Sequence, residues 1–202
     1  VGKRVYMASE IQLSSEQIVA AAVDILHEGG LDAVSMRSVA GRLGVTPPPV
    51  YARIGNKDAL LDAIAEHFLA DLAPDPERDE AWPDYARRWT QQMRQRLTEA
   101  ADSRLFLQVK RPTYLEATKP LLNCMRRDGM STDAAVRACR LLTWATVGFI
   151  AMDHSPPAAS SRRPSRLAGS DPSGVTSEEI DELFTAHIGY LIDGIERDEG
   201  MR

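Results

Sequence analysis

The chain has 202 residues, of which 44% are hydrophobic and 26% charged. These proportions fit a soluble globular protein of one or two domains and exclude collagen-like, mucin-like and wholly disordered chains. A net charge of −5 argues against attraction of the whole molecule to phosphate. The charge is uneven, however: residues 33–57 contain no acid, and Arg37, Arg42, Arg53 and Lys57 give that window +4, so that −5 overall leaves −9 for the remainder.

Two cysteines, Cys124 and Cys139, lie within helical patterns without metal-type spacing, and are expected to be reduced core residues of a cytoplasmic protein. No continuous apolar run approaches the roughly 18 residues that span a bilayer, and no charged leader followed by an apolar stretch opens the chain. Residues 1–12 are expected to form a flexible tail, whose Lys3 and Arg4 can touch a polyanion.

From Ser15 to Gly29 the apolar residues Ile18, Ala22, Ile25 and Leu26 recur at helical spacing. Ser14 is the expected cap, Gln17 completes a capping box, and Gly29-Gly30 ends the helix. A short helix follows from Met36 to about Leu43, capped by Ser35 and closed by Gly44. Only Val45 and Thr46 separate that glycine from a third helix, Pro47 to about Ile54, with Val50 and Ile54 inward. Gly55-Asn56 then restarts the chain as a fourth helix, Lys57 to about Asp71, carrying Leu60, Leu61, Ile64 and Phe68. Residues 73–79, with Pro74 and Pro76, read as a linker.

Beyond the linker, helical patterns cover 82–101, 103–110, 112–128, 132–153 and 177–198, the last with Thr176 and Glu179 as a capping box. Nothing alternates in the manner of a strand, so the expected fold class is all-α. Residues 155–175, rich in serine and proline, are expected to be a flexible loop.

Two short helices joined through a glycine turn form the local pattern of a helix-turn-helix. Ala40 is small where the helices approach, Gly44 makes the turn, and Val45 with Val50 fills the corner. The third helix can then present its outer face to a major groove, about 12 Å wide.

Leu13 to Phe68 resembles the DNA-binding domain of the TetR (AcrR) family of transcriptional repressors. The resemblance rests on Gly29-Gly30-Leu31, Ser35-Met36-Arg37-Ser38-Val39-Ala40, Gly44-Val45-Thr46, Val50-Tyr51 and Asn56-Lys57-Asp58-Ala59-Leu60-Leu61. It implies an N-terminal three-helix DNA-binding domain with a linking helix over 13–72, and a C-terminal helical ligand-binding and dimerisation domain over 73–202. It further implies a homodimer on a palindromic DNA operator, released when a small-molecule inducer shifts the fourth helix. By the same resemblance Thr46 caps the recognition helix and reaches a phosphate, Tyr51 sets its hydroxyl on the backbone, and Arg37 and Lys57 hold phosphates. Pro47, Pro48, Pro49, Ala52 and Arg53 face the bases.

The sequence departs from the family pattern in its triple proline, which removes the amides that a helix N-terminus offers to phosphate and predicts an irregular first turn. It departs again at Arg53, where histidine is common in the family. Tyr51 alone, on an isolated helix, is more often a packing residue; the acid-free surroundings favour DNA.

In the second half, Trp82, Tyr85, Trp89 and Met93 form one stripe, and Phe106, Trp144, Phe149 and Met152 lie on other helices. Such residues are more often core than ligand box. The resemblance makes His67, Trp89, Met93, Phe106, Gln108, Trp144 and Phe149 the ligand candidates, with Asn123 and Thr143 as further polar groups. The helix over 132–153 is apolar on nearly every side, and that over 177–198 has a wide apolar stripe; the pattern alone fits burial within one subunit as well as a dimer interface, and the resemblance favours the dimer, with Ala145 and Gly148 allowing close approach. Four scattered histidines, without i,i+4 partners, and the lack of a phosphate loop or nucleophile elbow predict no metal site, no cofactor and no enzyme. The alternatives are a helical small-molecule-binding or enzymatic protein that has lost operator binding, and a loosely specific DNA-coating protein.

Overall fold

The structure is a computed structural model that describes residues 13–70, 72, 75–108, 111–153 and 176–200. The expected tail, the 155–175 loop and part of the linker lie outside them. The described residues form helices and no strands: α1 (Ser15–Ala33), α2 (Met36–Arg42), α3 (Pro47–Ile54), α4 (Lys57–Leu69), α5 (Trp82–Glu99), α6 (Arg104–Gln108), α7 (Arg111–Arg127), α8 (Thr132–Asp153) and α9 (Ser177–Asp198). The chain divides into two compact units at Ile64/Ala65.

In the first unit α2 packs on α1 and α3, and α1 also touches α3. The core is the apolar face of each helix: Ile18, Ala22 and Leu26 from α1, Val39 and Ala40 from α2, and Val50 from α3 are at most 1% exposed. Both predicted starts are capped. Ser14 and Gln17 exchange side-chain-to-backbone bonds, and Ser35 does the same with Ser38. The expected end of α1 at Gly29-Gly30 is instead a kink. Gly30 takes φ 70°, ψ −175°, a region open essentially to glycine alone, and a further short turn runs on to Ala33. The tight connection between α2 and α3 depends on Gly44 at φ +67°, with the Val45 amide bonded to Ala40 O at 3.0 Å. The irregular first turn expected of α3 is corrected: Pro47 and Pro48 are helical although each precedes a proline, and only Thr46 is extended, at ψ 156°. Proline's fixed φ already suits the first helical positions, and buried Val50 anchors the turn that follows.

In the second unit α8 packs against α5, α6, α7 and α9, and α5 also touches α7 and α9. The stripe of α5 faces inward as its spacing predicts, with Trp82, Tyr85, Trp89 and Met93 at most 2% exposed. Buried Trp89 keeps its indole satisfied by donating to Ala117 O of α7 at 3.0 Å. Pro120 inside α7 removes the amide that would bond the Glu116 carbonyl. Cys124 and Cys139 are free and buried. One expectation is modified here: over Thr132–Met152, α8 is long and apolar enough to cross a membrane by length and composition. No single run reveals this, because Arg137 and Arg140 interrupt the apolar residues. Its packing against four other helices of the unit gives it the place of a core helix.

Candidate nucleic-acid interface and ligand cavity

The helix-turn-helix turns one set of side chains inward and another outward. Arg37, Thr46, Pro48, Pro49, Tyr51, Ala52, Arg53 and Lys57 are exposed, Pro47 is half-buried, and Val50 between them is completely buried. Tyr51, at 50% exposure, is therefore not the packing residue that its type alone suggests.

Two details correct the expected picture. Thr46 occupies the N-cap position of α3 but makes no side-chain cap bond. A cap needs the amide of the second or third helical residue, and those residues are Pro48 and Pro49, which have none. Arg42 is not a free cation: its guanidinium forms a two-pronged pair with Glu28 of α1, one arm to Oε1 at 3.0 Å, and that bond holds the Glu28 carboxyl below its ordinary value. The outward charge of the acid-free window is thus carried by Arg37, Arg53 and Lys57. Glu16, in the first turn of α1, feels Arg53, although its carboxyl is lowered first by a hydrogen bond with Ser14.

Sequence reasoning left the role of Asn56 unstated. Its Oδ1 accepts from the Ala59 amide at 2.9 Å, the N-cap geometry that sets Lys57 at the head of α4. The Asn-x-x-Ala spacing ahead of an apolar run carried that signal.

In the second unit a cavity of about 130 Å³ opens between α7 and α8. Tyr114, Leu115, Thr118 and Leu122 line it from α7, and Val136, Cys139, Arg140, Thr143 and Trp144 from α8. Its hydroxyls are already engaged with backbone carbonyls: Tyr114 donates to Phe106 O, Thr118 to Leu115 O at 3.0 Å, and Thr143 to Cys139 O at 2.8 Å. Burial raises the Tyr114 phenol and pushes the Cys139 thiol up to about 12, so neither is ionised near neutral pH and Cys139 is no nucleophile.

Of the expected ligand residues, Trp144 lines this cavity, as does the further polar candidate Thr143. Trp89, Met93 and Phe106 are buried in the core, and His67 and Gln108 are exposed. Phe149 packs edge-on against Phe184, centroids 5.2 Å apart, and the Arg94 guanidinium lies 4.8 Å over Phe184. The cavity residues that sequence reasoning missed share a signal: 114, 118 and 122 on α7, and 136 and 140 on α8 in line with Trp144, are two facing stripes at a spacing of four. Which stripes face each other is a tertiary fact.

Residues 18–64 match the family model for bacterial regulatory proteins of the tetR family. The tetracycline repressor protein class A from transposon 1721 of Escherichia coli is 32% identical over 143 residues, which is 69% of this chain and 66%, just under two thirds, of that protein. Among solved structures, a TetR variant from Acinetobacter baumannii AYE in complex with minocycline superposes with a TM-score of 0.72 at 25% identity, over 93% of this chain and 98% of that one. BioQ with its natural double-stranded DNA operator does so with a TM-score of 0.65 at 26% identity, over 91% and 98%.

Proposed function

The chain belongs to the tetR family of bacterial regulatory proteins, and from that membership we propose that it is a ligand-responsive transcriptional repressor, binding a palindromic operator in the cytoplasm as a homodimer. One observation carries the reading: the acid-free helix-turn-helix exposes Arg37, Thr46, Tyr51, Arg53 and Lys57 around a recognition helix whose inner side is buried. A double-stranded operator of the kind that BioQ binds is the corresponding partner.

The division of labour follows from chemistry. Arg37 and Lys57 neutralise phosphates, and the capped start of α4 adds unpaired amides beside Lys57. Thr46, with no amide to cap, and Tyr51 donate hydroxyls to the backbone. Pro47, Pro48, Pro49 and Ala52 offer apolar surface to thymine methyls, and Arg53 suits guanine or a phosphate.

The homodimer is supported by exposed apolar side chains on α8 and α9: Leu141 and Met152 on the first, Leu183 and Tyr190 on the second, with Met152 at 81% and Tyr190 at 77% exposure. Open space at the Cβ positions of Gly148 and Gly189 lets a second copy approach. Two recognition helices in such a dimer would read half-sites roughly 34–36 Å apart. A small molecule held by the C-terminal unit lowers operator affinity, and by linkage the operator lowers affinity for the small molecule by the same factor.

Selection of bound DNA from random sequence tests this reading. A palindrome with half-sites one helical turn apart is expected. A steep salt dependence without sequence preference would make the protein a DNA-coating one, and no binding at low salt would remove the operator altogether.

A further inference from the structure

The cavity between α7 and α8 has a chemical character of its own. Its walls are apolar side chains and three hydroxyls already bonded to backbone carbonyls, which leaves two uncommitted N–H donors among the described lining residues, the Trp144 indole and the guanidinium of Arg140, and only the guanidinium is charged. Among the described residues no ion pair or hydrogen bond engages Arg140, whereas nearby Arg137 on the same helix reaches Glu199 at 3.3 Å. Arg140 is exposed, so it stands at the mouth of the cavity, hydrated on one side. Trp144, 62% exposed, provides an indole wall one turn further along α8.

A volume of about 130 Å³ is close to that of a dry protein cavity which holds benzene, roughly 150 Å³, so a single aromatic ring fits it. One fixed positive charge in a planar fork matches one carboxylate. A dianion such as phosphate would need a second cation, and among the described residues none lines the cavity. We infer that the effector of this protein is a small aromatic monocarboxylate, seated with its ring between α7 and α8 and its carboxylate on Arg140. The inference rests on reading the C-terminal unit as the ligand-binding one, and specifies the ligand class.

Isothermal titration calorimetry on the full chain without DNA tests it, with benzoate as the probe and benzamide as its neutral counterpart of the same shape. Benzoate is expected to bind about tenfold or more tightly than benzamide, and Arg140→Gln to erase that difference, as loss of a charge-assisted hydrogen bond requires. Benzoate should also quench the tryptophan emission, and Trp144→Phe should abolish the quenching, since Trp82 and Trp89 are buried. Equal affinity for the two probes, unchanged benzoate binding in Arg140→Gln, or no heat with millimolar benzoate overturns the inference. A gel-shift experiment is read separately. Arg140-dependent binding of benzoate that leaves the DNA complex intact upholds the ligand class and overturns the inducer role.

Discussion

Thr46 stands at the head of α3 with no amide in reach, because the positions that a cap would serve are prolines. Thr46→Ala should therefore change the melting temperature very little, against the ~1 kcal/mol lost when an ordinary cap is removed, while weakening DNA binding through the lost hydroxyl. Calorimetric melts and gel shifts on the same variant separate the two effects. Lys57→Ala should weaken binding to all sequences alike and lower the salt slope by about 1, whereas Pro48→Ala or Pro49→Ala should change which sequences are preferred. Similar behaviour of the two classes in a binding selection would abolish the distinction between anchor and reader.

At the level of elements, the first unit depends on short helices that need their ends fixed. α2 has seven residues, too few to persist without packing and capping. Ser35 accepts from the Ser38 amide at 3.0 Å while Ser38 Oγ accepts from the Ser35 amide at 2.9 Å. Ser35→Ala should cost about 1 kcal/mol in denaturant unfolding. Gly44→Ala should cost a similar ~1–2 kcal/mol, because φ +67° is left-handed backbone.

The start of α5 is tied down differently. Arg88 donates to both oxygens of Glu80, at 3.0 and 2.6 Å, and these bonds, aided by the Glu77 backbone and opposed by burial, hold the Glu80 carboxyl below its ordinary value. A carboxyl lowered in the folded state stabilises at a pH above its unfolded value, about 4.3, and the contribution disappears as pH falls through the folded value. Glu80→Gln should accordingly melt below the parent protein at pH 7, and the gap should close in acid.

For the whole molecule, charge and apolar surface have separate addresses. In the proposed repressor the outward cations of residues 33–57 face the operator, and the −9 carried by the rest of the chain would discourage other faces from lying on DNA. Among the described residues most of the exposed large apolar side chains belong to α8 and α9, with Leu107 on α6 and Leu115 on α7 in addition. Leu141→Glu combined with Tyr190→Glu should shift the protein from dimer to monomer in sedimentation, with loss of operator affinity because a single half-site is held. An unchanged dimer would move the interface elsewhere.

The N-terminal half of the fold was legible because its information is local: hydroxyl caps, glycines at turns and a 3.6-residue apolar period each act within a few residues of the chain, and the acid-free window showed as a simple absence. The exposed positions of α3 followed from that period once Val50 was inward. The rest required the third dimension. That Arg42 is spent on Glu28, 14 residues away, cannot be read from a charge count. That Phe149 packs on Phe184 while Thr143 and Trp144 line a cavity depends on which stripes of α7, α8 and α9 face one another, and large apolar residues look alike in sequence whether they fill a core or bound a space. Sequence by itself determined the helices, most of their ends and which side chains of α3 face outward, since backbone propensity and capping are short-range. Tertiary packing alone decided where the cavity lies and that Arg140 borders it, because a cavity exists only between elements that the chain brings together.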